Sequence, residues 1–290
     1  MLNNKVSVVI PAKNESLALR DVLPRLLKLN CIEEIIVVND GSTDDTESVC
    51  LEAGVTVITH PYSKGNGAAI KAGARSVTTD TVVFMDADGQ HSPEDIPKLL
   101  KKLESGFDMV VGARSSTSQA SAGRLVANSV YNRISSLMVG QQVGDLTSGF
   151  RAVKIELFKE FISILPNGFS YPTTITMSFF RAGYSVGYLP IIADKRVGQS
   201  HISPLKDGIR FLLIIFKIAT LYSPLKLFFP LSLLFFGLGS GYYGYTLFEM
   251  GRFTNMSALL FITSVLVFLI GLVSEQVTSL VFLAAQGKEK

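Results

Sequence analysis

Two aspartates separated by one alanine close an apolar run in the stretch VVFMDADGQHSPEDIP, residues 82–97. In an extended backbone, residues i and i+2 project to the same side, so Asp86 and Asp88 can aim both carboxylates at one point beyond a strand. Two carboxylates that close repel, and a proton or a cation must relieve them. One reading is a strand end with acidic turn residues, because Asp and Gly are ordinary turn formers. The other is a hard divalent cation held by oxygen ligands together with a phosphate. The pair alone leaves both open.

The surrounding elements weigh on the choice. Short β-rich runs (VSVVI, EIIVVN, VTVIT, TVVFM, DMVVGAR) alternate with helical stretches such as SLALRDVLPRLLKL and PEDIPKLLKKLESG. This alternation predicts an α/β domain with a mostly parallel sheet covered by helices on both faces. Ligands in such sheets bind beyond the carboxyl ends of the strands. Three polar clusters fall at those ends, residues 11–15, 39–44 and 86–90. The glycine-rich KGNGAAIKAG departs from a dinucleotide fingerprint, since Ile70 takes the third glycine position. It is read either as a backbone approach to a ligand or as a plain helix start.

Composition separates the chain into unlike parts. Hydrophobic residues make up 48% and charged residues 18%, and mean hydropathy is +0.36. Most of the apolar surplus follows Phe211, where residues 227–248 and 253–274 form two uncharged runs of 22. Each spans roughly 33 Å as helix, enough for a bilayer core with some tilt. Two membrane spans over about 227–248 and 255–275 are expected, after a domain over 1–205 and interfacial helices over 206–226. Lys195, Arg196, Lys206, Arg210, Lys217 and Lys226 precede the first span, and Lys288 and Lys290 follow the second. By the positive-inside rule the N-terminal domain and both termini are cytoplasmic. Glu275 and Gln276 are read as marking the cytoplasmic end of the second span. Two cysteines imply no disulfide framework, and the basic residues beside the bilayer suit anionic headgroups and not nucleic acid.

The series VSVVIPAKNES, VVNDGSTDDT, KGNGAAIKAG, MDADGQHSPEDIPKLL, VVGAR and DLTSGFRA resembles the motifs of family 2 glycosyltransferases of the Rossmann-like GT-A fold. With the closing hairpin, it is most similar to the branch that makes polyprenyl-phosphate sugars. The resemblance implies an inverting transfer of a hexose from a nucleotide sugar, of GDP-mannose or UDP-glucose type, to polyprenyl phosphate. It implies Asp86, Asp88 and Gln90 as ligands of Mg²⁺ or Mn²⁺. It places Pro11, Ala12, Glu15 and Asp40 in the nucleoside pocket, with Ser42 and Lys64 close by. Asp40 keeps a second reading as a turn or capping residue. A homo-oligomer through the hairpin is a further expectation.

A phosphate monoester acceptor is largely dianionic near neutrality, so it needs position and charge compensation more than a base. Arg114, Arg124, Arg133 and Arg196 are the candidates, because guanidinium suits phosphate bidentately. Arg114 and Arg124 match positions that the family uses near the phosphates. Arg151 is read as a structural pair for an acid such as Asp145. In DKRVGQSHIS the family's Ser-Lys pair becomes Ser200-His201. If His201 faces the acceptor phosphate it must be protonated, so activity falls as pH rises through its pKa. His201→Lys should remove that step, and an unchanged pH–rate profile in the variant would refute the assignment. Two rival readings are a processive polysaccharide synthase, disfavoured by the absence of any Trp for a Q-x-x-R-W signature, and a non-catalytic nucleotide-sugar-binding scaffold.

Overall fold

The computed structural model describes residues 5–114, 122–168, 170–192, 216, 220 and 222–286. The chain divides into two compact units, one ending at Pro204 and the other starting at Leu205.

The first unit is a seven-stranded sheet in the order β3-β2-β1-β4-β6-β5-β7. Its strands are β1 (Val6–Ala12), β2 (Ile32–Asn39), β3 (Thr56–Thr59), β4 (Thr81–Phe84), β5 (Met109–Arg114), β6 (Arg151–Lys154) and β7 (Val186–Ile191). All pairings are parallel except those of β6, which runs antiparallel between β4 and β5. The helices are α1 (Ser16–Leu26), α2 (Thr46–Glu52), α3 (Asn66–Ser76), α4 (Ile96–Glu104), α5 (Ala122–Val139), α6 (Ile155–Lys159) and α7 (Tyr171–Arg181).

Strand alternation sends Val6, Val8 and Ile10 to one face, where they pack with Leu19 and Leu23 of α1, Val49 of α2 and Leu99 of α4. Val9 and Val38 meet α3 on the opposite face. A Cβ at Gly73 would come within 2.4 Å of Val9 Cγ1, so a glycine is what lets α3 seat on the sheet. The mostly parallel sheet with both faces covered is as expected. The antiparallel β6 was not legible, because its four residues RAVK are too short to carry a period.

The second unit is a helical hairpin of α8 (Pro224–Met250) and α9 (Asn255–Gln286). Both are long and apolar enough to cross a membrane. Gly251 ends α8 in the left-handed region, φ 65°, and its N–H bonds Leu247 O at 3.0 Å. The seam repeats every seven residues with small side chains. Ser232, Gly239 and Thr246 on α8 and Ser257, Ser264, Gly271 and Thr278 on α9 are all buried. Ser264 Oγ donates to Ser232 O at 2.8 Å. Small residues let two backbones approach closely where lipid removes any hydrophobic drive between helices. Outside the seam, Leu234, Phe236, Leu266 and Ile270 are more than half exposed, the surface a lipid-facing pair needs.

The helices outrun the uncharged runs. Glu275 lies inside α9, where its carboxylate accepts the Leu225 N–H at the start of α8 at 3.3 Å. It therefore bridges the two helices instead of simply ending the second, and a carboxylate suits the positive end of the α8 dipole. The expected interfacial segment 206–226 lies mostly outside the described residues.

Candidate active site

Strand β1 has β2 on one side and β4 on the other, so the chain leaves it in two directions. That switch point opens a crevice past the strand ends. A cleft of about 490 Å³ occupies it. Pro11, Ala12 and Glu15 come from β1 and the turn after it, Asp40 follows β2, and Asp86 and Asp88 follow β4. These six expected residues share one cavity although up to 77 positions separate them.

The turn after β1 is laced to the turn after β2. Asn14 sits at φ 56°, outside the usual range for a residue with a side chain. Its Oδ1 accepts the Thr43 N–H at 2.8 Å, and its own N–H donates to Ser42 Oγ at 3.0 Å. The Glu15 N–H donates to Thr46 Oγ1 at 3.1 Å. Ser42 thus supports the wall and is not part of the cleft lining.

Asp40 is buried, and its carboxylate accepts four hydrogen bonds. Oδ1 takes His60 Nδ1 at 2.7 Å and the Lys64 N–H at 2.8 Å; Oδ2 takes Ser63 Oγ and the Gly65 N–H, both at 2.8 Å. Burial pushes the carboxyl upward, but these donors outweigh it and hold the pKa at about 2. Asp40 is therefore both a cleft residue and the clasp of the 60–65 turn. Because the folded pKa is depressed, the stabilisation is present above the ordinary carboxylate pKa and is lost as pH falls from about 4 through about 2. Asp40→Asn, which sets an amide NH₂ against inward-pointing donors, is expected to cost about 2–3 kcal/mol at neutral pH. Thermal unfolding from pH 7 down to 2 checks this, the gap between wild type and variant closing in acid. Lys64 contributes its main chain here. Its ammonium lies 5.8 Å above the Tyr62 ring, outside the lining.

The glycine-rich stretch starts α3 at Asn66, in line with one of its two readings, and its glycines also serve packing. A Cβ at Gly65 would lie 2.5 Å from Asn167 O, and one at Gly67 would lie 2.1 Å from Pro166 O. These glycines admit another stretch of backbone, and Lys71 Nζ completes the contact on Leu165 O at 3.0 Å. Gly65, Asn66 and Ala69 still line the cleft.

Strand β4 stops at Phe84, and Ala87 and Asp88 occupy a turn completed by Gly89 at φ 74°. Turn geometry and not strand alternation brings both carboxylates to the cleft. Gln90 is outside the lining; its main-chain N–H donates to Asp88 Oδ1 at 3.1 Å. Behind the turn, His91 is buried and stacks on Phe150 with ring centroids 5.0 Å apart. Burial lowers its pKa to about 4, so the ring is neutral.

The opposite wall is the segment before β6. Arg114 is bound bidentately to Asp145, Nε to Oδ2 at 2.8 Å and Nη2 to Oδ1 at 3.1 Å, and Nη2 also reaches Thr147 Oγ1 at 2.6 Å. Burial works against the guanidinium charge, but Asp145, with Asp86 and Asp88 beyond, raises its pKa above the usual value. This corrects the pairing read for Arg151. Arg151 is fully buried and donates to Pro172 O at 3.1 Å, Thr176 Oγ1 at 3.2 Å and Ser148 O. It braces the segment that presents Gly149. A Cβ at Gly149 would lie 2.4 Å from Asp86 Oδ2, so the glycine keeps open the space beside that carboxylate. Lys13, Ser63, Asn66, Thr147 and Gly149 line the cleft without having been singled out in the sequence. Arg133 is exposed on α5 and outside the lining. The side chain of Arg124, and Arg196, Ser200 and His201, lie outside the described residues.

The donor set fits a hard divalent cation. Among the described residues no group of three or more His, Cys, Asp or Glu side chains converges, so no closed protein cage is present. Two carboxylates on an open cleft, with space held by Gly149, match the way Mg²⁺ and Mn²⁺ bind through one or two carboxylates, water and substrate phosphates.

Residues 223–280 match the GtrB C-terminal hairpin. The chain is 34% identical over 188 residues to the undecaprenyl-phosphate 4-deoxy-4-formamido-L-arabinose transferase of Photorhabdus laumondii subsp. laumondii, covering 58% of each chain. It is 35% identical over 190 residues to the enzyme of that name from Proteus mirabilis, covering 59% of this chain and 58% of that one. The match thus spans less than two thirds of these relatives. Among solved structures, glucosyl-3-phosphoglycerate synthase from Mycobacterium tuberculosis, in complex with Mn²⁺, UDP and phosphoglyceric acid, superposes with a TM-score of 0.61 at 24% identity. That match covers 75% of this chain and 78% of the other and shows a shared GT-A fold. The Glycosyl transferase family 2 profile matches residues 7–162, from β1 past α6 and across every cleft wall described above, and the chain belongs to that family.

Proposed function

We propose that the protein is a metal-dependent, inverting glycosyltransferase that moves a hexose from a nucleotide sugar to polyprenyl phosphate. The observation that carries this reading is the union, in one chain, of the Asp86–Asp88 cleft and a hairpin of membrane-crossing length. The relatives named for undecaprenyl-phosphate transfer support the acceptor class.

In this reading the nucleoside lies against Pro11, Ala12, Glu15 and the Asp40 clasp. Asp86 and Asp88, with Gln90 beside them, would hold Mg²⁺ or Mn²⁺. The bound cation would offset charge building on the leaving nucleoside diphosphate. An oxygen of the lipid phosphate attacks the anomeric carbon from the face opposite the diphosphate. The new C–O bond forms as the bond to the diphosphate oxygen breaks, and configuration inverts. Arg114, fixed by Asp145, contributes a positioned positive field. Arg124, Arg133, Arg196, Ser200 and His201 remain candidates for the acceptor phosphate. The hairpin keeps the polyprenyl tail in lipid, with the catalytic unit and both termini cytoplasmic and with self-association through the hairpin.

The test is purified full-length protein in detergent with undecaprenyl phosphate, Mn²⁺ or Mg²⁺ and a panel of nucleotide sugars, scored for lipid-linked sugar and released nucleoside diphosphate. Lipid product from one donor, abolished by EDTA, is expected. Donor binding without turnover across the panel would overturn the reading in favour of a scaffold.

A further inference from the structure

We propose that His91 is a positioning residue whose flat ring fixes the turn carrying Asp86 and Asp88 against the facing wall of the cleft, a role that rests on the reading proposed above. His91 lies three residues past Asp88 and is buried. Its ring lies on that of Phe150, with centroids 5.0 Å apart and planes 14° from parallel. Phe150 belongs to the same short segment as Asp145, Thr147 and Gly149. Its carbonyl accepts the Gly112 N–H at 2.9 Å, on the strand that ends in Arg114. A Cβ at Gly112 would lie 2.9 Å from Phe150 Cδ1, so the Phe150 ring is seated tightly on β5. One ring-on-ring contact thus joins the carboxylate turn to the segment that sets Gly149 beside Asp86 and to the strand that presents Arg114.

The other anchors of this stretch run elsewhere. Before the turn, the Met85 N–H donates to Val9 O at 3.1 Å, and after it Arg25 Nη2 donates to Ser92 Oγ at 3.1 Å. Those partners belong to β1 and α1, whereas Phe150 belongs to the facing segment. Hydrogen bonding does not locate the imidazole, because Nδ1 is buried with no partner among the described residues. A buried polar atom left unpaired weakens a fold, so the ring is held by its shape and its stack. Two flat faces in contact set one separation between the walls, which a branched aliphatic chain of similar size does not reproduce. Groups that act together on a ligand must be held to within about 0.5 Å by neighbours locked through packing.

The test titrates full-length protein in detergent with Mn²⁺, in the presence of UDP and separately of GDP, with free Mn²⁺ read by electron paramagnetic resonance. KM for undecaprenyl phosphate at saturating donor and the melting temperature of the metal-free protein are measured alongside. His91→Phe keeps a flat face and removes the unpaired nitrogen. It should melt at or above the wild-type temperature and keep both constants within about threefold. His91→Leu, of similar size but without a face, should weaken Mn²⁺ affinity and raise the acceptor KM about tenfold or more, because a shift of about 1 Å in such a constellation costs up to about a hundredfold. Phe150→Leu breaks the same stack from the other wall and should give the same paired losses. Constants for His91→Leu within about twofold of wild type would overturn the proposal whatever its melting temperature, since the ring would then only fill space. Unchanged constants in Phe150→Leu would do so even if His91→Leu failed to fold. A folded His91→Phe that lost about tenfold in either constant would also overturn it, by making a nitrogen the acting group. Failure of the unmodified chain to bind Mn²⁺ with either nucleotide would instead overturn the substrate reading, and the role of His91 with it.

Discussion

Replacing Asp88 with asparagine is expected to lower kcat by at least about 10³-fold while leaving the fold intact. Loss of one of two carboxylates from a hard-cation site removes several kcal/mol of transition-state charge stabilisation, and each 1.36 kcal/mol is a factor of ten. The substitution is chosen because it separates the two readings of the acidic pair. Asparagine can still accept the Gln90 N–H that Asp88 Oδ1 accepts at 3.1 Å, and it is as good a turn former as aspartate. A turn residue would tolerate the change almost completely. A metal ligand would not, and Asp88→Ala should then be no worse in kcat than Asp88→Asn by more than about tenfold. Initial rates across a Mn²⁺ series, with Mn²⁺ affinity from electron paramagnetic resonance, check this directly. Wild-type turnover in Asp88→Asn would remove the cation from that position.

Gly149→Ala is the second large effect, an expected loss of about 10²-fold in kcat from one added methyl group. The new Cβ would lie 2.4 Å from Asp86 Oδ2 and 2.8 Å from both Oδ1 and Cγ. Real Cβ atoms do not approach that closely, so the carboxylate or the segment must move. The segment has little freedom, because Arg151 is bonded to the carbonyl of Ser148 and Phe150 stacks on His91. Asp86 has only two side-chain torsions with which to withdraw. A displacement of about 1 Å in a reacting constellation costs on the order of a hundredfold. The metal requirement should shift to higher concentration together with kcat, which distinguishes displacement of Asp86 from general destabilisation. Gly168→Ala, where a Cβ meets nothing within 4 Å, serves as the neutral comparison. Activity of Gly149→Ala within about threefold of wild type would show that Asp86 is not held where the reaction needs it.

Much of this site was legible from the chain alone, for a local reason. A parallel α/β sheet delivers the ends of its strands to one edge, so polar clusters at 11–15, 39–44 and 86–90 had to meet wherever their strands were neighbours. The hairpin was equally legible, because two charge-free runs of membrane length need no tertiary information. The pairing that changed depends on partners distant in sequence. Arg114 and not Arg151 took Asp145, since a strand pairing absent from any local pattern set β6 between β4 and β5. The Gln90 main chain donates to Asp88 and the Ser42 hydroxyl accepts from Asn14, contacts that residue type does not disclose. Gly149 could be recognised only once Asp86 lay against it.

The sequence by itself determined the strand–helix alternation, the acidic pair past the fourth strand and two segments suited to lipid, because each is a matter of residue type and spacing along one stretch. Only the tertiary structure decided which charges are spent on each other and which still face the cleft. That distinction belongs to distances between segments, and it is why Asp40 is a clasp and Arg114 is committed to Asp145.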